Sequence, residues 1–267
     1  NDGCQELRRD KLAFFSDDLK KDAPMSQKFI LDIMAHLKEK MGGRLKTIIL
    51  VSDGCAAQFK AKLPFLYLSH TEAGAGSHEV TVERVYFGSR HGKNDCDWSG
   101  GAIKRVVRRD LASGSVCVRN AREMFTHCVK TLTLDSAAIS ECQHKTRQFA
   151  FLDEEVDRRV KSSSIATVPG SRKLHHVRAL EPCVLATRQL SCFCSFCRDG
   201  LFGECSSVAY AGQWEVVKIK YTGPDLSAPA PAPALASTLL SDSKSDPDEE
   251  APALPVLSES SSCTDDS

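Results

Sequence analysis

The chain has 267 residues, of which 42% are hydrophobic and 26% are charged, and its 35 basic side chains balance its 35 acidic ones. This length allows one large domain or two small domains, and no apolar run reaches the roughly 18 residues that a membrane-spanning helix needs. The polar start at Asn1-Asp2-Gly3-Cys4 differs from a secretory signal, so the sequence argues against both membrane insertion and secretion.

The balanced charge conceals two parts of opposite sign. Nine acidic residues and one lysine lie after residue 224, which leaves residues 1–224 with 34 basic and 26 acidic side chains. A basic body is typical of a protein that binds a polyanion such as DNA, although many basic proteins have no such partner. Residues 222–267 are rich in Ala-Pro pairs, serine and acidic residues, and we predict a disordered tail because this composition buries too little apolar area.

The first part of the chain predicts a strand, a helix and a second strand. Residues 11–16 form a short apolar run typical of a buried strand, and residues 23–41 repeat apolar side chains at helical spacing. Pro24 suits the first turn of this helix, and the glycines that follow residue 41 end it. Residues 46–51 are almost continuously apolar, which predicts a strand buried on both faces.

The rest of the chain continues this alternation. Residues 58–68 predict a helix, residues 79–87 alternate like a strand, and residues 101–111 and 121–132 predict two more helices. Residues 162–180 look irregular, whereas residues 214–221 alternate like a final strand. The order predicts an α/β fold, in which binding sites usually lie at the carboxyl ends of strands.

A cysteine cluster is the first candidate site. Twelve cysteines without a secretory signal indicate a reducing compartment, where clustered thiols bind metal more often than they form disulfides. Four of them have the spacing Cys-x-Cys-x2-Cys-x7-Cys, which suits tetrahedral Zn²⁺ in a closed structural site: Cys192, Cys194, Cys197 and Cys205. Cys183 is a possible extra ligand. Either His175 or His176 could be a fourth ligand, but surface positions are the preferred interpretation for both.

Two acidic turns that follow predicted strands are the second candidate site. Asp53 precedes a glycine, as in many simple turns, and Asp97 could be the N-cap of the next helix. Taken together, with His91 and Lys93 near the second turn, the two carboxylates could hold one or two Mg²⁺ ions. Such ions activate water and stabilise the leaving oxygen of a phosphodiester.

Basic side chains follow the second acidic turn. The helix at residues 101–111 carries four cations on one flank, a spacing that predicts contacts to phosphate groups: Lys104, Arg105, Arg108 and Arg109. The alternative is a solvated helix face. His91 and Lys93 could likewise contact phosphate or only solvate their loop.

Several motifs resemble a largely uncharacterised group of transposon-derived animal proteins. They are Ser52-Asp53-Gly54-Cys55-Ala56-Ala57-Gln58-Phe59-Lys60, Ser89-Arg90-His91-Gly92-Lys93, Cys96-Asp97, Gly100-Gly101-Ala102-Ile103-Lys104-Arg105, Ser16-Asp17-Asp18-Leu19, Val168-Pro169-Gly170-Ser171-Arg172 and Ser191-Cys192-Phe193-Cys194. The resemblance covers about residues 12–220. These proteins look like relatives of the DDE transposases, so the resemblance implies an RNase H-like core with a mixed five-stranded sheet flanked by helices.

The resemblance also implies roles for individual residues. Asp53 would be the second acid of a DDE site and Asp97 the third, both as ligands of Mg²⁺ or Mn²⁺, and Lys60 joins the candidate nucleic-acid contacts. The first acid belongs about two strands before the helix at residues 23–41, where this chain has only residues 1–10. Asp17 or Asp18 could substitute for it, but both lie on what would be the third strand. Glycine usually stands in place of Trp98, so we expect Trp98 to crowd a tight turn.

We therefore expect three parts: an incomplete RNase H-like core at residues 1–160, a cysteine-rich zinc module at 161–221 and the disordered tail at 222–267. The predicted function is that of a nuclear, transposase-derived protein that binds DNA without catalysis, because the first acid is missing. The alternative is an active Mg²⁺-dependent strand transferase or nuclease. A gene-model fragment without a selected function is a third possibility.

Overall fold

The strands of the described residues form two sheets. The computed structural model of the protein describes residues 9–72, 80–88, 95–133, 145–223 and 226. Its strands are β1 (Arg9–Phe15), β2 (Thr47–Ser52), β3 (Thr81–Tyr86), β4 (Lys145–Phe151), β5 (His176–Glu181), β6 (Val184–Arg188) and β7 (Glu215–Lys218). β1 and β4 form a parallel pair, and the other strands form a mixed sheet in the order β2-β3-β5-β6-β7.

Helices flank these sheets, which confirms the predicted α/β class with a mixed sheet. They are α1 (Ala23–Met41), α2 (Lys62–Tyr67), α3 (Asp95–Ala112), α4 (Ala121–Leu132) and the short helices α5 (Ser195–Arg198) and α6 (Val208–Ala211). Among the described residues, none of the helices combines the length and the apolar character that crossing a bilayer requires.

α1 has the bounds that the sequence predicted and contacts both sheets. A carboxylate oxygen of Asp22 accepts a hydrogen bond from the amide of Met25 at 3.0 Å, which caps the helix, and Gly42 ends it with a φ of +54°. Met34 is buried in the core under the five-stranded sheet, while the ring of Phe29 lies 5.3 Å from that of Phe14 on β1. Apolar side chains on two sides of α1 therefore pack against the two sheets.

β2 lies at an edge of the five-stranded sheet, and one of its faces is exposed. The prediction that β2 is buried on both faces is therefore wrong. Among the described residues β2 pairs only with β3, in parallel, and β3 pairs antiparallel with β5. Ile48 is buried, whereas Ile49 and Val51 are 43% and 52% exposed on the opposite face. An apolar run alone cannot distinguish a doubly buried strand from an edge strand with one open face.

α3 and α4 pack on the two-stranded sheet. Phe15, Val107 and Cys128 form the buried centre of this layer, in which α3 and α4 cover the same face of β1 and β4. Phe14 points to α1 from the other face, as the alternation of side chains along a strand requires.

α3 begins at Asp95, six residues before the start that the sequence predicted. Two glycines, Gly100 and Gly101, suggested a boundary because glycine disfavours helix by about 1 kcal/mol. The acidic first turn favours the positive end of the helix dipole and offsets this cost. Trp98 therefore lies on a helical turn and is 63% exposed, instead of crowding a tight loop.

The cysteine-rich part of the chain contributes three strands to the five-stranded sheet. Five of the six residues of β5 lie in residues 162–180, for which the sequence predicts irregular structure, and β5 pairs with both β3 and β6. β7 is the predicted last strand and pairs with β6. The tail that follows, from residue 227, lies outside the described residues, so its predicted disorder stays a prediction.

The cap of α1 yields a test of the fold. Asp22 also receives a hydrogen bond from the guanidinium of Arg158 at 2.8 Å. Asp22→Ala is expected to lower the free energy of unfolding by about 1–2 kcal/mol, because it removes the cap and a partly exposed ion pair. Asp22→Asn keeps a capping oxygen and should lose less, as urea denaturation followed by circular dichroism would show.

The same carboxylate makes stability depend on pH. Burial opposes ionisation, but Arg158 and the capped amide outweigh it and lower the pKa of Asp22 below its ordinary 3.8. The stabilisation is thus complete above pH 3.8 and is lost as the pH falls through the lowered folded-state pKa. Equal urea midpoints for Asp22→Ala and the wild type at neutral pH would contradict this role.

Candidate metal centre

Four cysteines come together in one compact cluster. The Sγ atoms of Cys192, Cys194, Cys197 and Cys205 all lie within 4.8 Å of one another, and this is the group of ligand side chains with metal-binding geometry among the described residues. Cys205 Sγ lies 3.8 Å from Cys192 Sγ and 3.9 Å from Cys194 Sγ. Four sulfurs around a tetrahedral Zn²⁺, with Zn–S of about 2.3 Å, stand about 3.8 Å apart. The four cysteines could therefore hold a metal ion, and their spacing is compatible with structural zinc.

Short turns after β6 bring the thiols to one point. The amide of Arg198 donates to the carbonyl of Cys194 at 3.0 Å and closes the single turn of α5, in which Cys197 is buried. Gly200 then reverses the chain with a φ of +80°, a conformation that favours glycine. Cys205 returns to the cluster directly after a single 3-10 turn.

A buried arginine lies against the cluster. Arg188, at the end of β6, is 1% exposed, and its guanidinium donates to Cys205 Sγ at 3.3 Å and to Cys197 Sγ at 3.4 Å. Trp214 donates its indole N–H to Cys197 Sγ at 3.4 Å. Four thiolates and one divalent ion carry a net charge of about −2, so these donors offset a buried negative charge.

The donors separate the pKa values of the thiols. Burial opposes ionisation of Cys205, but hydrogen bonds from Arg188 prevail and lower the pKa of this thiol to about 6. Backbone hydrogen bonding at Cys194 lowers the pKa of Cys192, whereas burial raises the pKa of Cys197 to about 12. Metal ligands must be deprotonated, and the lowered pKa values of Cys205 and Cys192 favour that form.

Charged and polar side chains connect the cysteine cluster to the five-stranded sheet. His176 is 1% exposed, so the interpretation of it as a surface residue is wrong; its Nε2 lies 2.8 Å from a carboxylate oxygen of Glu83 on β3. Arg178 also contacts Glu83, at 3.4 Å, and donates to the carbonyl of Cys197 at 2.8 Å. The ring of Trp214 lies 4.8 Å from that of His176. The cysteine turns thus rest directly on β3 and β5.

The remaining histidine and cysteine candidates lie away from the cluster. Cys183 lies in the turn between β5 and β6 and does not belong to the group of four. Its Sγ is 3.0 Å from Nε2 of His70. His175 Nδ1 lies 2.9 Å from the carbonyl oxygen of Tyr86. Neither residue is a ligand in this arrangement.

Asp53 and Asp97 occupy exposed positions near two element ends. Asp53 follows β2, and its Oδ1 accepts the amide of Cys55 at 3.0 Å, which makes a local turn. Asp97 lies in the first turn of α3. Neither belongs to a group of three or more metal-ligating side chains among the described residues. Their role as Mg²⁺ ligands stays a prediction.

Three acids that precede α1 are already engaged in contacts. Asp17 accepts the amide of Ala121 at 2.9 Å, at the start of α4. Asp18 forms an ion pair with Arg158 at 2.8 Å, and a backbone hydrogen bond lowers the pKa of Asp18. Asp10 forms an ion pair with Lys40. All three carboxylates have structural partners.

The predicted cationic residues fall into two sets. The four on α3 are all exposed: Lys104, Arg105, Arg108 and Arg109. Arg109 also forms an ion pair with Asp110 at 3.0 Å. Lys60 instead donates to the carbonyl of Arg172 at 3.0 Å, and burial lowers the pKa of Lys60. His91 and Lys93 lie outside the described residues.

Sequence reasoning found the cysteines but missed Arg188, Glu83 and Trp214. Arg188 ends an otherwise uncharged strand, and Glu83 lies within an alternating apolar strand. A charged side chain inside such a strand is the signal that could have identified them, because buried charges are rare unless they are paired.

Comparison with known proteins returned one family. The family model described as Domain of unknown function (DUF8701) matches residues 2–191, which is more than two thirds of the chain and ends just before Cys192. No curated protein and no solved structure matches.

The cysteine cluster predicts metal content. The double variant Cys194→Ser, Cys197→Ser is expected to lose the single bound metal ion per chain and to unfold at a lower temperature, because the turns after β6 lose their crosslink. Cys55→Ser, Cys117→Ser is the matched control, since both thiols lie outside the cluster. Mass spectrometry of bound metals and calorimetry measure both effects. Unchanged metal content in the first variant would refute the metal centre.

Proposed function

Because the chain belongs to a family of domains of unknown function (DUF8701), we propose its function from its own surface: it binds nucleic acid through α3. One observation carries the proposal. Four cationic side chains on α3 point away from the layer beneath it, and all four are exposed. Helical spacing spreads them over about 140° of the solvent side, a width that suits contacts along a phosphate backbone.

The anchoring of α3 supports this interpretation. Ile103 and Val107 pack into the layer with β1 and α4, so the opposite side of the helix remains for a ligand. Asp110 is turned toward His127, at 2.9 Å, and pairs with Arg109 alone among the four cations. The excess of basic over acidic residues before residue 225 adds a favourable field for a polyanion.

Zinc is the metal that we assign to the cysteine cluster. Four sulfur ligands in a closed tetrahedral arrangement are the donor set of structural zinc sites. Zinc there would fix the turns after β6 to the sheet and supply no chemistry. This role accounts for the buried Arg188 and for Trp214, which both donate hydrogen bonds to the thiols.

The origin that best accounts for the motifs is a transposase with an RNase H-like core, which would act on DNA in the nucleus. The parallel strands β2 and β3, the flanking helices and the exposed Asp53 after β2 support this proposal. Loss of catalysis is supported by the structural contacts of Asp17 and Asp18, since each carboxylate already has a partner elsewhere in the fold.

Charge removal tests the binding surface. The variant with alanine at the four α3 cations is expected to bind a labelled oligonucleotide at least tenfold more weakly. Its plot of log affinity against log salt should flatten by about three to four units for a duplex, since each phosphate contact contributes about 0.9. Fluorescence anisotropy on single-stranded and duplex forms measures both quantities.

The matched control removes four other exposed cations: Lys20, Lys21, Arg44 and Lys46. This control should retain most of the affinity, because it changes the net charge equally without touching α3. Equal losses in both variants would show that only net charge matters, and would contradict a binding surface on α3.

Catalysis is tested with Asp53→Asn. We expect the wild-type protein to bind DNA without cleaving it in Mg²⁺ or Mn²⁺, and Asp53→Asn to bind equally well. Glu39→Gln, an exposed carboxylate on α1, is the control. Metal-dependent cleavage that Asp53→Asn abolishes and Glu39→Gln preserves would instead establish the DDE enzyme.

A further inference from the structure

An exposed tryptophan lies within the cationic side of α3. Trp98 is in the first turn of the helix and is 63% exposed, although tryptophan is usually buried to a large extent. The ammonium of Lys11 lies 4.2 Å from the centre of its ring. One face of the ring is therefore held by a cation, which orients the side chain, and the large exposed area belongs to the rest of the ring.

Helical geometry aligns Trp98 with two of the arginines. Arg105 follows Trp98 by two turns and Arg109 by three, so the three side chains share one stripe along about 16 Å of the helix. Gly101 lies on the intervening turn, and a Cβ at that position would have nothing within 4 Å. No side chain therefore projects from Gly101, which leaves space on the helix surface between the ring and Arg105.

Two cations lie on the face of β1 and β4 that carries α3, and one of them is the lysine beside the ring. Lys11 on β1 lies directly opposite Arg147 on β4, and both point to the face that carries α3. Like charges at directly opposed positions of neighbouring strands destabilise a sheet. Among the described residues, neither has a carboxylate partner in an ion pair, so a bound anion would relieve their repulsion.

We propose that this surface binds single-stranded nucleic acid, with one unpaired base stacked on Trp98. We call it the Trp98 platform: Trp98, Lys11, Arg147 and Arg105. The base covers the ring face opposite Lys11, and the flanking phosphates contact Lys11, Arg147 and Arg105. This inference rests on the proposed function and specifies its substrate.

The ring is the feature that selects single strands over duplexes. Phosphate contacts alone do not distinguish the two forms, whereas a base within a duplex is already stacked on its neighbours and cannot cover Trp98. Base–aromatic stacking tolerates any sequence, because every base has a π face. The platform therefore favours unpaired strands without selecting their sequence.

Tryptophan fluorescence and affinity test the platform on the full chain. The probes are oligothymidylate, a duplex of equal phosphate number, and heparin, a polyanion without bases. The chain has two tryptophans, and the difference in emission between the wild type and Trp98→Phe isolates Trp98 from Trp214. Oligothymidylate should quench the Trp98 emission, and heparin should leave most of it.

Substitutions separate stacking from charge. Trp98→Ala is expected to weaken oligothymidylate binding by about 5- to 150-fold, the range measured for one stacked base, while heparin affinity changes less than twofold. Trp98→Phe should retain most of the affinity, because it keeps a stacking ring. Arg105→Ala is the charge control and should weaken all three probes alike.

The outcomes separate the platform from the binding function. Nucleic-acid binding by α3 with no quenching of Trp98, or with equal losses on all probes in Trp98→Ala, would overturn the platform and leave the proposed function standing. Absence of binding to any nucleic acid would overturn both, and would point to a protein partner for the exposed ring.

Discussion

The contact between the buried Arg188 and the thiols of Cys197 and Cys205 is the interaction on which the C-terminal half of the molecule depends. A guanidinium that is removed from water needs partners that bear negative charge. Thiolates can supply that charge, and a divalent ion among the four sulfurs would leave a net charge of about −2, of which Arg188 offsets half. Neither the arginine nor the cysteines would be stable in this interior alone, so the strand and the turns beyond it fold as one unit.

The same charge balance extends across the sheet. Glu83 on β3 contacts His176 and Arg178 on β5, and Arg178 reaches the backbone of the cysteine turns. Residues from three parts of the sequence therefore form one polar layer, capped by Trp214. This layer builds the rigid end of the sheet, whereas the exposed cations lie on α3, which packs on the other sheet. The polar layer and the proposed binding surface therefore lie in different parts of the fold.

Sequence patterns predicted features that depend on neighbouring residues. The bounds of α1 followed from helical periodicity with Pro24 and Gly42, and the four cysteines followed from their spacing. Features that depend on distant contacts were missed. β2 is as apolar as a central strand but lies at an edge, and His176 resembles a loop residue until Glu83, 93 positions away, pairs with it. Periodicity carries no information on which strand becomes a neighbour.

The pairing of β1 with β4 has a consequence for the order of folding. Arg9 aligns with Lys145, so forming this small sheet closes a loop of 136 residues, whereas α3 and α4 are adjacent in the chain. Long-range parallel pairing is slow, because chain entropy is lost before any contact compensates for it. The helices can collapse early, but Lys11 is aligned with Arg147 only after β1 has paired with β4. In the proposed function, a partly folded chain therefore carries the arginines of α3 before the Trp98 platform is complete.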